Sequence, residues 1–396
     1  MHATSATSLD ALTARIAELR DWLDNAALPL WWKAGAGRPD QGFYERIGQD
    51  GRPMVSDNRR ARVQPRQAYC FAAAGKAGWN GPWREAVDHA LSWFERVYRL
   101  ENGLYGNLAD AKGKLIDPSF DLYNQAFALF AAAAAAQALP ERAEALRAEA
   151  EALLSILQID YSHPRGGFEA DIPCREPLAS NPHMHLFEAA LAWEATADGS
   201  GPWTALADQI AGLAMHRFID AETGALREFF DHGWNPMPGE KGRIVEPGHQ
   251  FEWAWLLARW GNARGSGEAI AKARQLFEIG EAHGICPRRG VAIMSLADDF
   301  TVLDGTARLW PQTEWLKASV RLAGLATGAA RENYLASALR ALDALAPFLA
   351  TPVKGLWYDK WPENGPIADE PAPASTFYHI ACAIYEAEDA LKAPAA

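Results

Sequence analysis

Long and short connections alternate strictly between the helical segments of this 396-residue chain, and that alternation leaves few ways to fold it. Helical periodicity predicts segments near 7–26, 66–78, 82–100, 119–138, 140–158, 183–198, 202–218, 249–262, 266–284, 308–328, 331–349 and 375–391, about twelve in all, with few credible strands. Turn residues make brief breaks at Asn80-Gly81-Pro82, Leu139-Pro140, Gly199 to Pro202 and Arg264 to Gly267. The other connections are long: Ala26–Pro65, Glu101–Pro118, Asp160–Pro182, Ile219–Gly248, Cys286–Ala307 and Ala350–Ala374. If helices run up and down, short turns gather at one end and long loops at the other. Helices beginning near Arg66, Asp121, His185, His249, Arg308 and Ser375 then start at one common face. A spacing of roughly 55 to 70 residues signals a repeated helical hairpin. Six such hairpins closing on themselves predict an all-α fold, an (α/α)6 barrel with an inner and an outer ring of six helices each, as a single catalytic domain over residues 1–396. An open stack is disfavoured because no polar capping repeat is visible.

Polar residues on the apolar inner helices cluster at those starts. In EPGHQFEW, His249 and Glu252 are three residues apart and share a helix face. NPHMHLFEA repeats the spacing with His185 and Glu188 and also carries His183. Arg66, Asp121 and Asn124, Arg308, Trp310, Glu314 and His379 lie within two turns of the other starts. A lone histidine there is more often a cap or a satisfied buried group, and a lone arginine more often an ion-pair partner. The coincidence at six starts favours one shared site.

Composition narrows its chemistry. A net charge of -12 with no basic cluster argues against a nucleic-acid partner, and no apolar run reaches membrane-spanning length. With no secretory leader pattern, a cytoplasmic protein is expected, monomer or homodimer. Cys70, Cys174, Cys286 and Cys382 are too dispersed for a zinc ribbon or a disulfide framework. There is no GxGxxG and no Walker sequence, so no nucleotide cofactor is expected. Sixteen tryptophans offer flat apolar faces for sugar rings while Arg, Asn, Gln and Glu offer hydrogen bonds, which points to a monosaccharide. Histidines outnumber carboxylates as candidates, and a group titrating near neutrality suits reversible proton transfer. A glycoside hydrolase using Asp121 and Glu314 is the alternative from another class. A metal held by His and Glu at i, i+3 is a lesser one, and the expectation is no metal and no cofactor.

At EPGHQFEWAWLL, NPHMHLFEA, RLWPQTE, DLYNQAF and the Gly42–Phe71 segment, the chain resembles the N-acylglucosamine 2-epimerase superfamily, which includes cellobiose 2-epimerases, mannose isomerases and sulfoquinovose isomerases. The resemblance runs from about Leu30 to Glu386 and implies the (α/α)6 barrel, with cofactor-independent epimerisation or aldose–ketose isomerisation through a cis-enediolate. It assigns Arg66 to the substrate oxygens near C1 and C2, His185, His249 and His379 to catalysis, Glu252 to the support of His249, and Trp310 to the pocket wall. Pro65 departs from the small residue usual before that arginine. Asn181, Glu188, Arg308, Glu314 and Asp121 complete the expected sugar-binding set. One of His249 and His379 is expected to open the sugar ring and the other to move the C2 proton. RLWPQTE and LYNQAFALFA resemble the mannose isomerase and mannose 2-epimerase branch, so the expected reaction is mannose to fructose on an unphosphorylated sugar, with 2-epimerisation as the rival. Arg165, Arg175 and Arg243 are the loop arginines that could meet an anionic C6 group.

Overall fold

The computed structural model describes residues 7–196 and 201–392, so the expected end of the 183–198 helix lies partly outside it. Among the described residues, twelve helices have eleven residues or more. They are α1 (Ser8–Trp22), α2 (Val63–Lys76), α3 (Trp83–Tyr98), α4 (Leu122–Ala138), α5 (Ala143–Asp160), α6 (Ser180–Glu194), α7 (Trp203–Leu213), α8 (Pro247–Arg264), α9 (Gly267–Gly284), α10 (Leu309–Gly324), α11 (Gly328–Leu349) and α12 (Ala374–Lys392). Each matches an expected segment. Thr7 and Asp10 form a capping box at the start of α1. The chain then runs on through π-helical turns at Leu23–Ala27 and Trp31–Gly35, beyond the end expected near Ala26.

Backbone contacts divide the chain into two compact units. One comprises residues 28–244 and 371–378. In it α2 pairs with α3, α4 with α5 and α6 with α7, while α4 also packs against α2 and α6. The alanine run of α4 makes this possible: Ala126, Ala128, Ala131, Ala133, Ala135 and Ala136 are buried, and their small side chains let the neighbouring helices approach. The other unit comprises α1 with its extension to Ala27, residues 245–370, and the chain from His379 onward. Here α8 pairs with α9 and α10 with α11, α8 packs on α10, and α1 lies on α11. Pro247 occupies the first turn of α8 and Gly265 ends it in the left-handed region at φ 65°.

A buried amide repeated along the chain ties long loops to the helices that follow them. Gln64 bonds both N–H and C=O of Phe43, at 2.8 Å each. Gln125 does the same to Tyr105 at 3.0 and 2.8 Å, and Gln312 to Ala292 at 2.8 and 2.9 Å. Each pairing satisfies loop backbone groups that burial would otherwise leave without water.

The expectation of few strands needs correction. Eleven short strands are present among the described residues, most of two residues. The connection expected as a loop from Cys286 to Ala307 holds a twisted antiparallel sheet in the order 360–361, 302–308, 291–296, 285–286. Two-residue strands carry too little alternation to be read from sequence. Val291, Ala292 and Ile293 are all buried, so their run lacks the apolar–polar alternation of a half-buried strand.

Candidate active site

In the unit containing α8, α10 and the body of α12, side chains from three helix starts meet. His379 Nδ1 lies 2.8 Å from Glu314 Oε1, and the carboxylate's other oxygen lies 2.6 Å from Lys317 Nζ. An ionised carboxylate only accepts, so the Nδ1–H of His379 donates and Nε2 is the nitrogen that can take or give a proton. Glu314 and Lys317 are fully buried. The carboxylate of Glu252 joins them, one oxygen lying within 4.8 Å of a Glu314 oxygen and a His379 ring nitrogen. Lys317 supplies positive charge to this acidic pair and sits 3.7 Å from the centre of the Trp255 ring. Trp310 contacts both candidate catalytic histidines, its ring centre 5.1 Å from that of His249 and 5.6 Å from that of His379.

Glu252 was expected to orient His249. Glu246, the residue before the first turn of α8, has its Oε2 3.5 Å from His249 Nδ1. Glu252 also lies beside the Glu314–His379 pair. Arg308 directs Nε and Nη2 to Asp359 Oδ2, at 3.0 and 2.7 Å, and is therefore held as an ion pair in this structure.

In the other unit, Arg66 donates to Ser375 O at 2.9 Å and bonds the Tyr123 hydroxyl. Its guanidinium carbon lies 4.2 Å from the Phe127 ring centre and 5.2 Å from that of Tyr378. His185 packs at a tilt against Phe127 and edges Tyr123, with ring centres 4.5 and 4.8 Å away. Glu188 lies 3.3 Å from His185 Nδ1 and accepts from the Tyr378 hydroxyl. Its carboxylate is thus engaged in holding His185. Asn181 is half-buried, and its Oδ1 is screened from solvent without a hydrogen-bond partner among the described residues.

Three expected polar residues have structural work. Asp121 caps α4 by accepting from Tyr123 N at 2.9 Å and pairs with Arg62 at 3.1 Å, which leaves it poorly placed as a glycosidase acid. Asn124 Nδ2 donates to Asn107 Oδ1 at 3.1 Å. His183 Nδ1–H donates to Ala179 O at 2.8 Å while Nε2 accepts from Phe168 N at 3.0 Å. It ties a loop down as the glutamines do, and burial pulls its pKa down to about 4.

With this geometry in hand, the comparisons with known proteins decide the class. The family model described as N-acylglucosamine 2-epimerase (GlcNAc 2-epimerase) matches residues 42–383. The chain belongs to that family. A "Mannose-6-phosphate isomerase" of Rhizobium meliloti (strain 1021) is 61% identical over 376 residues, covering 95% of this chain and 97% of the relative. Among solved structures, the cellobiose 2-epimerase of Bacillus thermoamylovorans B4167 superposes with a TM-score of 0.83 at 16% identity, covering 95% of this chain and all of that one. A D-mannose isomerase superposes at 0.82 with 20% identity, covering 98% and 100%. The fold is therefore the (α/α)6 barrel of this epimerase family, as the loop alternation predicted. The protein is an enzyme of the sugar isomerase and epimerase class. No described helix is long and apolar enough to cross a membrane.

Sequence reading passed over Glu246, Lys317, Tyr123 and Tyr378, although all four lie inside or beside the motifs it used. Lys317 had a signal: TEWLKA places a lysine at i+3 from Glu314 on a helix otherwise apolar on that side. Tyr378 precedes His379 directly and faces Glu188.

Proposed function

We propose that the enzyme interconverts D-mannose and D-fructose, with His249 and His379 as the proton-transfer groups and Arg66, His185 and Asn181 in the roles that the family resemblance assigns to them. The observation that carries this reading is the His379–Glu314 pair. It fixes one imidazole tautomer with Nε2 as the working nitrogen, beside Trp310, which also meets His249. Family membership and the 61% identical isomerase support the reaction class.

One histidine protonates the pyranose ring oxygen while the anomeric hydroxyl loses its proton, which frees the aldehyde. A histidine then removes the C2 proton, and negative charge spreads over O1 and O2 as a cis-enediolate. Arg66 supports that charge with its permanently charged fork. The proton returns to C1 while the O2 proton leaves and O1 gains one, giving the ketose. Such general acid–base steps contribute about 10² to 10⁴ in rate each. Trp310 supplies an apolar face for the sugar, and Asn181 Oδ1 an acceptor for a hydroxyl.

The substrate is proposed to be unphosphorylated because arginines beside the inner-helix starts are already neutralised: Arg60 by Glu45, Arg62 by Asp121 and Arg308 by Asp359. A second reading, mannose 6-phosphate, is favoured by the name of the Rhizobium relative. Incubating mannose and mannose 6-phosphate separately in heavy water and following both by proton NMR tests the assignment. Fructose without glucose, formed faster from the free sugar, is the expected result. Glucose without fructose would overturn the isomerase reading, and a higher kcat/KM for the phosphate ester would select the second.

A further inference from the structure

We propose that Lys317 is a positioning residue that keeps His379 neutral and ready to act as a base; the proposal rests on His379 having the role given above. Burying a carboxylate without a partner is costly. Glu314 has two partners, His379 at 2.8 Å and Lys317 at 2.6 Å, on its two oxygens. If the lysine were absent, the buried pair would lower its energy by taking up a proton, as imidazolium beside carboxylate or as imidazole beside carboxylic acid. Both forms remove the arrangement a base needs, an ionised Glu314 accepting from a neutral His379. With the ammonium in place, charge is already balanced and the imidazole can rest unprotonated at neutral pH. Lys317 thus lowers the protonation midpoint of the Glu314–His379 pair, while Glu314 still supports the imidazolium that forms during turnover.

The surroundings hold this ammonium where it is. Its Nζ lies 3.7 Å from the Trp255 ring centre and 3.7 Å from Cys382 Sγ, one turn beyond His379 on α12. Among the described residues, the titratable and charged groups near the pair include Glu252 from α8, Lys317 from α10 and Cys382 from α12, and Trp310 contacts His249 as well as His379. A second, half-buried ion cluster follows one turn further along α12: Glu386 lies 2.8 Å from Arg321 and 3.8 Å from Arg259. Burial opposes ionisation of Glu386, yet the two arginines hold its pKa down at about 2. Lys317 is a cation within ion-pair distance of Glu314.

The test follows His379 itself in ligand-free protein. Histidine side chains labelled with ¹⁵N are titrated by NMR, His379 being assigned by its loss in His379→Asn. In Lys317→Met and Lys317→Gln the midpoint should rise by about one pH unit or more, the shift usual for one close charge. Lys317→Arg, which keeps the cation, should stay near the wild-type value. The acid limb of kcat/KM, on whichever sugar is turned over, should move with the midpoint, and rate should recover at higher pH. A folded Met or Gln variant with an unmoved His379 midpoint would overturn the proposal, as would a rate loss equal at every pH. If neither neutral variant folds, Lys317→Arg decides, and a wild-type melting temperature with a displaced midpoint sinks the idea. The NMR arm needs no substrate, so a failure of the mannose assignment leaves it standing.

Discussion

Glu314 Oε1 accepts the Nδ1–H of His379 across 2.8 Å, and both side chains are buried. The bond joins the second turns of α10 and α12, residues 65 positions apart in the chain. It makes one imidazole nitrogen a fixed donor and the other the site of proton exchange.

Replacing Glu314 by Gln should reduce kcat about 10- to 100-fold with little change in KM, the usual effect of removing the partner that orients a functional histidine. The same change leaves Lys317 buried without its counter-charge. Denaturant unfolding should show a loss of about 3 kcal/mol, and a stability equal to wild type would contradict the ion pair.

Arg66 should resist conservative replacement. Lysine has no planar fork, so it cannot bond Ser375 O and the Tyr123 hydroxyl while also serving two substrate oxygens. Arg66→Lys is expected to lower kcat roughly 10²-fold while circular dichroism and melting stay near wild type. An unchanged kcat with only a raised KM would remove Arg66 from enediolate stabilisation.

Gly248 lies against the indole of Trp310, where an added Cβ would come within 2.4 Å of the ring. Gly248→Ala should therefore push Trp310 away from the two histidines and cost roughly 10- to 100-fold in kcat/KM, as small misplacements do in proton-transfer sites. Tryptophan fluorescence and kinetics on the same variant would check this. Wild-type turnover would mean that Trp310 does not set the site's geometry.

His183 should give the enzyme a specific acid sensitivity. Its folded pKa of about 4 lies below the ordinary 6.5, so between these values the unfolded chain binds the extra proton. Stability from this group is therefore fully present above pH 6.5 and falls as pH drops toward 4, by about 3 kcal/mol. Glutamine does the same backbone-tying work at Gln64, Gln125 and Gln312. His183→Gln should fold and flatten this part of the pH–stability curve, read from urea midpoints; an undiminished slope would assign the sensitivity elsewhere.

The helical framework was legible because each helix carries its own periodicity and its own stop signals, as Pro247 and Gly265 show for α8. The loops were harder. The sheet of 285–286, 291–296, 302–308 and 360–361 combines a strand that opens with three buried residues, a strand exposed over its first half and two pairs too short to alternate, so it read as a long connection. At the site, His249, His379 and Glu314 stood out as polar residues on apolar helices. Their neighbours did not: spacing named Glu252 for His249, but it did not show that Glu246 also lies beside that ring or that Glu252 lies near Glu314. An i, i+3 rule names residues on one face without saying which of them the neighbouring helix engages.

By itself, the sequence determined the mostly helical fold, the repeat of hairpins and the residue types gathered at the inner-helix starts, because these follow from short-range pattern and connection length. Only the tertiary structure decided which groups each candidate faces. Asp121 is a cap, His183 a loop tie, Arg308 an ion-pair partner, and Lys317 the buried cation beside Glu314. The physical reason is that a side chain's charge state and tautomer depend on the groups facing it across other helices, and those contacts come from residues far away in the chain.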